Sequence, residues 1–323
     1  MVLYYGRLLR YALSARPKVF HILWNNKLQT LDRTVLMLYY KLLRKKVVLT
    51  VHNVNAGWRD SNDTRWNTMT LNAQYRLADH LFVHTHSMQR DLESDFSVPA
   101  SKVTVITYGI DVHAPHTALT PAQAKQRLGI GPRERTMLFF GHIAPYKGLE
   151  HLVTAFERLT AQHDGYRLII AGNPKGSAAY WSDIQRRIGG AARERIVQQI
   201  EFIPDDEIEV YFKAADVLVL PYLRIYQSGV LFLGYSFGLP AIVADVGSLS
   251  EEVIDGENGY IFRAADSMEL ARTLERYFSS ELFRDLSDRR ERIRDTAARR
   301  HSWDTVGEIT ERVYRDLLDR TPR

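Results

Sequence analysis

Residues 213–247 read KAADVLVLPYLRIYQSGVLFLGYSFGLPAIVADVG. The apolar run Val217-Leu218-Val219-Leu220 predicts a buried strand, closed by Pro221. The Gln227-Ser228-Gly229 turn opens a short helical pattern, and Gly238-Leu239-Pro240 stops it before a second apolar run, Ala241-Ile242-Val243-Ala244. Strand, glycine-containing turn, helix and strand form a βαβ unit. Its turn falls at the carboxyl end of a parallel sheet, where open α/β sheets bind ligands. A helix N-terminus there offers unpaired N–H groups and a positive dipole end, which suits the phosphate of a nucleotide.

The same alternation extends in both directions. Upstream strand candidates lie at 18–23, 46–51, 80–84 and 103–107, separated by helical patterns near 30–44, 65–78 and 87–95. Residues 112–126 bring two prolines and a break in pattern, and read as an interdomain hinge. A second series follows, with strands at 136–140, 167–171, 200–203, 217–220, 241–244 and 259–262 and three closing helices near 265–278, 280–298 and 303–318. The expected fold is α/β with two Rossmann-like domains, 1–118 and 119–302, and a terminal helix at 303–323 packing back on the first domain. Four strands before the hinge is short for a doubly wound half of about six. The first domain therefore reads as incomplete, in a chain that begins late.

Composition narrows the class. At 323 residues, with 45% hydrophobic and 25% charged residues, this is an ordinary globular chain too long for one core. The absence of cysteine excludes disulfides and thiolate metal sites, and fits a cytoplasmic protein. No apolar run approaches the ~20 residues of a membrane span. Residues 1–46 hold ten Lys/Arg against the single acid Asp32, around two amphipathic patterns. Such a segment suits peripheral contact with an anionic membrane, at the inner face of the plasma membrane, or else forms a solvated basic rim. Nucleic acid is not expected, because no recognition module accompanies the charge.

Several strand ends carry candidate chemistry. Gly141-His142-Ile143-Ala144-Pro145-Tyr146-Lys147-Gly148 follows one strand and precedes an amphipathic helix. A glycine there permits close backbone approach, and Lys147 could meet a diphosphate or simply be solvated. Gly172-Asn173 closes the next strand as an ordinary turn. Ile203-Pro204-Asp205-Asp206-Glu207 reads as a strand end passing into a helix whose first-turn acids complement the dipole, so no metal is expected there. His52 and Asn53 end the strand at 46–51, where an imidazole could hydrogen-bond a sugar hydroxyl or serve the structure alone. His84 and His86 stand in comparable places with weaker context, and no ligand spacing makes the three histidines a metal site.

Together, FFGHIAPYKGLEHLVTAFERL, LIIAG, IEFIPDDEIEVYFKAADVLVLPY, FGLPAIVADVGSLSEEVIDGENGYIF and HSWDTVGEITERVYRDL resemble the retaining glycosyltransferases of family 4. VFHILW, VVLTVHN, ADHLFVHTHSMQRDL and VTVITYGID match more loosely. The resemblance implies a GT-B fold, two such domains facing a cleft. It also implies a nucleotide-sugar donor on the second domain and a saccharide or lipid-linked acceptor on the first, in cell-surface polysaccharide or glycolipid assembly.

By the resemblance, Lys147 matches the diphosphate lysine, His142 stands where an arginine is common, and His52 lines the reacting centre. The Gly172-Asn173 and Ile203-Pro204 loops would border the nucleobase. His52 and Lys147 are the expected catalytic pair. Gly141, His142, Lys147, Gly172, Asn173, Ile203, Tyr226, Gln227, Ser228, Gly229 and Val230 are the expected donor contacts, and Trp24 and Asn53 the acceptor-side ones. Neither a metal nor another cofactor is expected. The sequence departs from the family in two places: the 226–234 stretch, YQSGVLFLG, holds none of the acids that the family usually places across this loop and helix, and no Gly-rich loop closing a first strand is visible before residue 17. Two readings stay open on that account, a metal-independent transferase or a catalytically inert nucleotide-sugar-binding protein or partner subunit. An epimerase on the same fold lacks counterparts for its catalytic acids.

Overall fold

A computed structural model describes residues 2–110 and 117–319. The chain forms two compact units, Met1–Gly109 with Ser302–Arg323, and Ile110–His301.

In the first unit, β1 (Val19–Ile22), β2 (Lys46–Thr50), β3 (His80–Val83) and β4 (Val103–Val105) make one sheet in that order. All three pairings are parallel. Val48, Phe82, Ile106 and Val313 form a buried cluster, with Val306, Ile309 and Leu317 packed against it, so the helix Trp303–Asp319 covers this sheet. Helices Arg65–Leu77 and His86–Phe96 start where Thr64 and Thr85 accept from backbone N–H groups.

The 30–44 pattern is not one regular helix. A π-helical turn, Asp32–Leu36, separates Gln29–Leu31 from Met37–Leu42. The wide turn buries two charged side chains and gives them partners: Tyr5 donates to Asp32 (3.0 Å), and Arg33 donates to Asn67 (2.7 Å) and Gln29 (3.1 Å). In the first helix, Val2–Ser14, Tyr5 and Ala12 are buried while Leu3, Tyr4, Leu9, Tyr11 and Leu13 are exposed. No described helix is long and apolar enough to cross a membrane.

The second unit holds β5 (Arg135–Phe140), β6 (Tyr166–Ala171), β7 (Ile196–Gln199), β8 (Val217–Leu220), β9 (Ala241–Ala244) and β10 (Gly259–Phe262) in the order β10-β9-β8-β5-β6-β7. Every pairing is parallel. The central strands read as continuous apolar runs because helices cover both faces. Beneath them Lys125 pairs with Asp216 (2.9 Å), and its ammonium also donates to the carbonyl of Glu134 (2.6 Å).

Three expectations are corrected here. The strand placed at 200–203 is instead β7, Ile196–Gln199, paired with Leu168–Ala171. It is an edge strand in which only Ile196 is buried, while Phe202 lies exposed beyond it, so its hydrophobic signal is displaced. Asp205 and Asp206 precede the helix Ile208–Ala214, whose cap position is Glu207 and carries no side-chain cap bond.

The supposed hinge at 112–126 is the third. Its residues 112–116 lie outside the described ones, but the rest is anchored to the second unit. Glu209 accepts from the Thr117 backbone (2.7 Å) and hydroxyl (2.8 Å), and Lys213 donates to the Thr117 carbonyl (2.9 Å). Thr120, Pro121 and Gln123 then form a capping box that starts the helix Pro121–Arg127.

Candidate active site

The strand order fixes where a ligand can enter the second unit. β5 and β8 are neighbours, Met137 pairing with Val217 and Leu138 with Leu218. From β5 the chain winds to β6 and β7 on one side, and from β8 to β9 and β10 on the other. The loops leaving β5 and β8 therefore diverge, and the opening between them is the topological switch point.

Glycines let these loops meet backbone to backbone. At Gly172 φ is +149°, and a Cβ would stand 1.8 Å from the Gly141 carbonyl oxygen. Gly141 itself has φ +98°, and its Cβ position lies 3.2 Å from Lys147 Nζ and 3.3 Å from Val230 Cγ2. The β5 and β8 loops are tied by Leu223 N–H donating to the Tyr146 carbonyl (2.8 Å). The β6 loop joins them through Asn173, whose carbonyl accepts from Ile143 N–H (3.0 Å) and from His142 Nδ1 (2.9 Å). That contact requires a proton on Nδ1 of this exposed ring.

Lys147 ends the short turn Pro145–Lys147 and is only 5% exposed. Its ammonium lies 5.1 Å from the centroid of the Tyr222 ring and 6.0 Å from that of Phe139. Ring faces stabilise a cation in part. Burial raises the Tyr222 phenol pKa, so this ring stays neutral beside the cation. The Tyr222 hydroxyl is 3.3 Å from Ser228 Oγ, at the cap position of the helix Gly229–Ser236. Ser228 makes no side-chain cap bond, and Leu231 N–H donates to its carbonyl (3.1 Å), so the Gly229 and Val230 N–H groups are the ones a ligand could meet. Both amide atoms of Gln227 are buried without a hydrogen-bond partner. Tyr226 is buried, its carbonyl accepting from Ser248 N–H (3.3 Å). Ile203 is buried beyond the edge strand β7, two strands away from β5.

The first unit collects a second group. Trp24, beyond β1, stacks on His52, beyond β2, with centroids 4.1 Å apart and planes 8° from parallel. His52 Nδ1 lies 2.9 Å from His84 Nε2, while His52 Nε2 and His84 Nδ1 are buried without a hydrogen-bond partner. Burial lowers the pKa of His52, and burial with the nearby His52 charge lowers that of His84 to about 4. His21 contacts Thr50 Oγ1 (2.7 Å) and Tyr314 Oη (2.5 Å), and burial lowers its pKa to about 4. Asn53 accepts from Arg59 (3.2 Å), so its carbonyl is held within the same loop. His86 is exposed and apart from the pair. Sequence context ranked His84 low. Only the pairing of β2 with β3 brings it to His52. Among the described residues, no three His, Cys, Asp or Glu side chains gather as a metal site.

Residues 122–300 match the family model of the Glycosyl transferases group 1, and residues 2–114 that of Glycosyltransferase Family 4. The chain belongs to the group 1 glycosyl transferases. It is 29% identical over 292 residues to the D-inositol 3-phosphate glycosyltransferase of Corynebacterium diphtheriae, a match covering 84% of this chain and 66% of that protein. An uncharacterized glycosyltransferase of Methanocaldococcus jannaschii is 26% identical, over 72% of this chain and 59% of the relative. This chain thus spans less than two thirds of these curated relatives.

Among solved structures, sucrose-phosphate synthase from Thermosynechococcus elongatus superposes with a TM-score of 0.79 at 19% identity, covering 98% of this chain and 77% of that one. Anabaena HepE in complex with UDP gives 0.78 at 18%, covering 97% and 81%. The fold of this glycosyltransferase family member is accordingly GT-B, two parallel-sheet α/β units.

Proposed function

We propose that this chain transfers a sugar from a nucleotide-sugar donor to a saccharide or lipid-linked acceptor, with retention and without a metal, in cell-surface polysaccharide or glycolipid assembly. The observation that carries the reading is the convergence of Lys147 and Val230 on Gly141, beside the uncapped N-terminus of Gly229–Ser236. A diphosphate placed there meets an ammonium and backbone N–H groups. Both stabilise the charge that develops as the sugar–phosphate bond breaks. In the retaining reaction the acceptor hydroxyl attacks the anomeric carbon, assisted by the departing phosphate oxygen. His52 and Lys147 are the proposed catalytic residues. Gly141, His142, Gly172, Asn173, Ile203 and 226–230 are the proposed donor contacts, with Trp24 and Asn53 on the acceptor side.

UDP-glucose is the first donor to try, because HepE, of like fold, was solved with UDP and with UDP-glucose. Transfer and hydrolysis are measured with a panel of UDP-, GDP- and ADP-sugars, with and without EDTA. Turnover abolished by EDTA would remove the metal-independent clause. A second reading, an inert nucleotide-sugar-binding protein or partner subunit, is favoured by one feature, the unpartnered amide of Gln227 in a stretch without acids. Donor binding without turnover across the panel selects that reading.

The cytoplasmic placement and a peripheral contact with anionic membrane through 1–46 belong to the same proposal. Its basis is the exposed set Arg7, Arg10, Arg16 and Lys18 among exposed Leu3, Tyr4, Tyr11 and Leu13. Arg33 and Lys41 contribute less, since one is buried and the other is paired with Asp79.

A further inference from the structure

Away from the switch point, the second unit has a cavity of about 310 Å³ between the helix Leu286–Arg300 and the segment after Glu252. Two of its lining side chains are polar and almost wholly buried, Glu252 (7% exposed) and His301 (2% exposed). Glu252 Oε2 lies at ion-pair distance from His301 Nε2 (3.3 Å) and from the Arg300 guanidinium (3.6 Å), whereas His301 Nδ1 is buried with no hydrogen-bond partner. Their backbone frame is fixed. The Glu252 carbonyl accepts from the Tyr235 hydroxyl (3.1 Å) and from Asn258 (3.0 Å). A buried polar atom left unsatisfied costs about 1–3 kcal/mol, so His301 Nδ1, held firmly without a partner, points to a ligand that supplies one.

The rest of the lining states what the ligand carries. Arg289, Arg292 and Arg300 occupy one face of the helix at spacings of three and eight residues. Among the described residues, Arg289 and Arg292 have no ion pair or side-chain hydrogen bond. Guanidinium groups at the rim ask for an anion, and phosphate suits their fork geometry. The carboxylate and imidazole nitrogen within ask for hydroxyl donors. The cavity is at the lower end of the ~300–1,000 Å³ range of ligand pockets, too small for a whole nucleotide sugar.

We infer that this cavity binds a small phosphorylated sugar, its phosphate on Arg289 and Arg292 and its hydroxyls on Glu252 and His301. None of these residues belongs to the donor site, so the inference stands apart from the proposed reaction. A physical link to that site exists nonetheless: the His301 ring packs on Phe232 of Gly229–Ser236, with centroids 4.7 Å apart. Tyr235 of the same helix lines the cavity, so a ligand there would touch the helix whose N-terminus lies at the proposed donor site.

Calorimetry of the full chain with glucose 6-phosphate, inorganic phosphate and glucose tests this. Glucose 6-phosphate is expected to bind at least tenfold more tightly than either component. The double variant Arg289→Ala, Arg292→Ala, at partly solvated positions of the helix, is expected to weaken it at least tenfold with the melting temperature unchanged. His301→Phe, of similar volume, should erase the advantage over inorganic phosphate. No binding of glucose 6-phosphate at millimolar concentration overturns the inference. So does equal binding of inorganic phosphate, which marks an anion site only, and so does affinity unmoved by the arginine variant.

Discussion

His84 Nε2 and His52 Nδ1 are 2.9 Å apart, so a single proton lies between two buried rings. Burial disfavours the charged form, and His84 is held at about 4, against the ordinary 6.5. The unfolded chain therefore binds more protons than the native one between these two values, and stability must fall as pH drops through that window. The contribution is fully present above pH ~6.5. For His84 alone the loss approaches about 3 kcal/mol by pH 4. Urea denaturation from pH 7 to 4 should show this slope, and His84→Gln should flatten it. A wild-type midpoint constant over that range would contradict the neutral pair.

Lys147→Ala should weaken nucleoside diphosphate binding by roughly 1.5–3 kcal/mol, the value of a charge-assisted contact. Calorimetry with UDP reads it directly. Unchanged affinity would take Lys147 out of the site.

Gly172→Ala places a methyl 1.8 Å from the Gly141 carbonyl oxygen, in a backbone conformation that L residues rarely adopt. The backbone must move, at a cost of about 1–3 kcal/mol. Chemical denaturation should record that loss, together with weaker UDP binding, because the β5 loop shifts with it.

Lys125→Met leaves the largely shielded Asp216 carboxylate with the Thr136 N–H (2.8 Å) and the nearby Arg290 charge as its remaining compensation. Breaking a buried pair from one side costs about 3–5 kcal/mol. The melting temperature should fall accordingly, while Lys125→Met with Asp216→Leu should recover part of the loss.

Flotation with liposomes of anionic lipid should carry the wild-type chain upward, and Arg7→Glu with Arg10→Glu should reduce the bound fraction several-fold. No flotation of the wild type at low salt would dismiss the membrane contact.

The fold was legible wherever both faces of a strand are covered. Val217–Leu220 and Ala241–Ala244 are wholly buried, and their boundaries can be read directly from composition. β7 was misplaced because an edge strand buries little, and Ile200 and Phe202 carry its apolar signal past its end. The Thr120-Pro121-Gln123 box was missed because its prolines read as a break; Pro121 at the first helical position marks a start. In the candidate site, glycines announced where the strand-end loops approach backbone to backbone. His84 could not be placed, since its partner depends on strand register rather than on any local pattern. The Glu252–His301 pair left no sequence signal either. Its members meet only after the last helices return to the sheet.

The pairing of Met137 with Val217 has a kinetic meaning as well. β6 and β7 lie between them in the chain, so the two halves of the crevice at the switch point join only through a long-range closure. A chain that has formed β5, β6 and β7 has most of one wing but none of the crevice. A nucleotide at the proposed site would recognise only molecules in which both wings are assembled, and its binding would raise the stability of the entire second unit by mass action. Added ligand would work during refolding as a selector of the completed sheet.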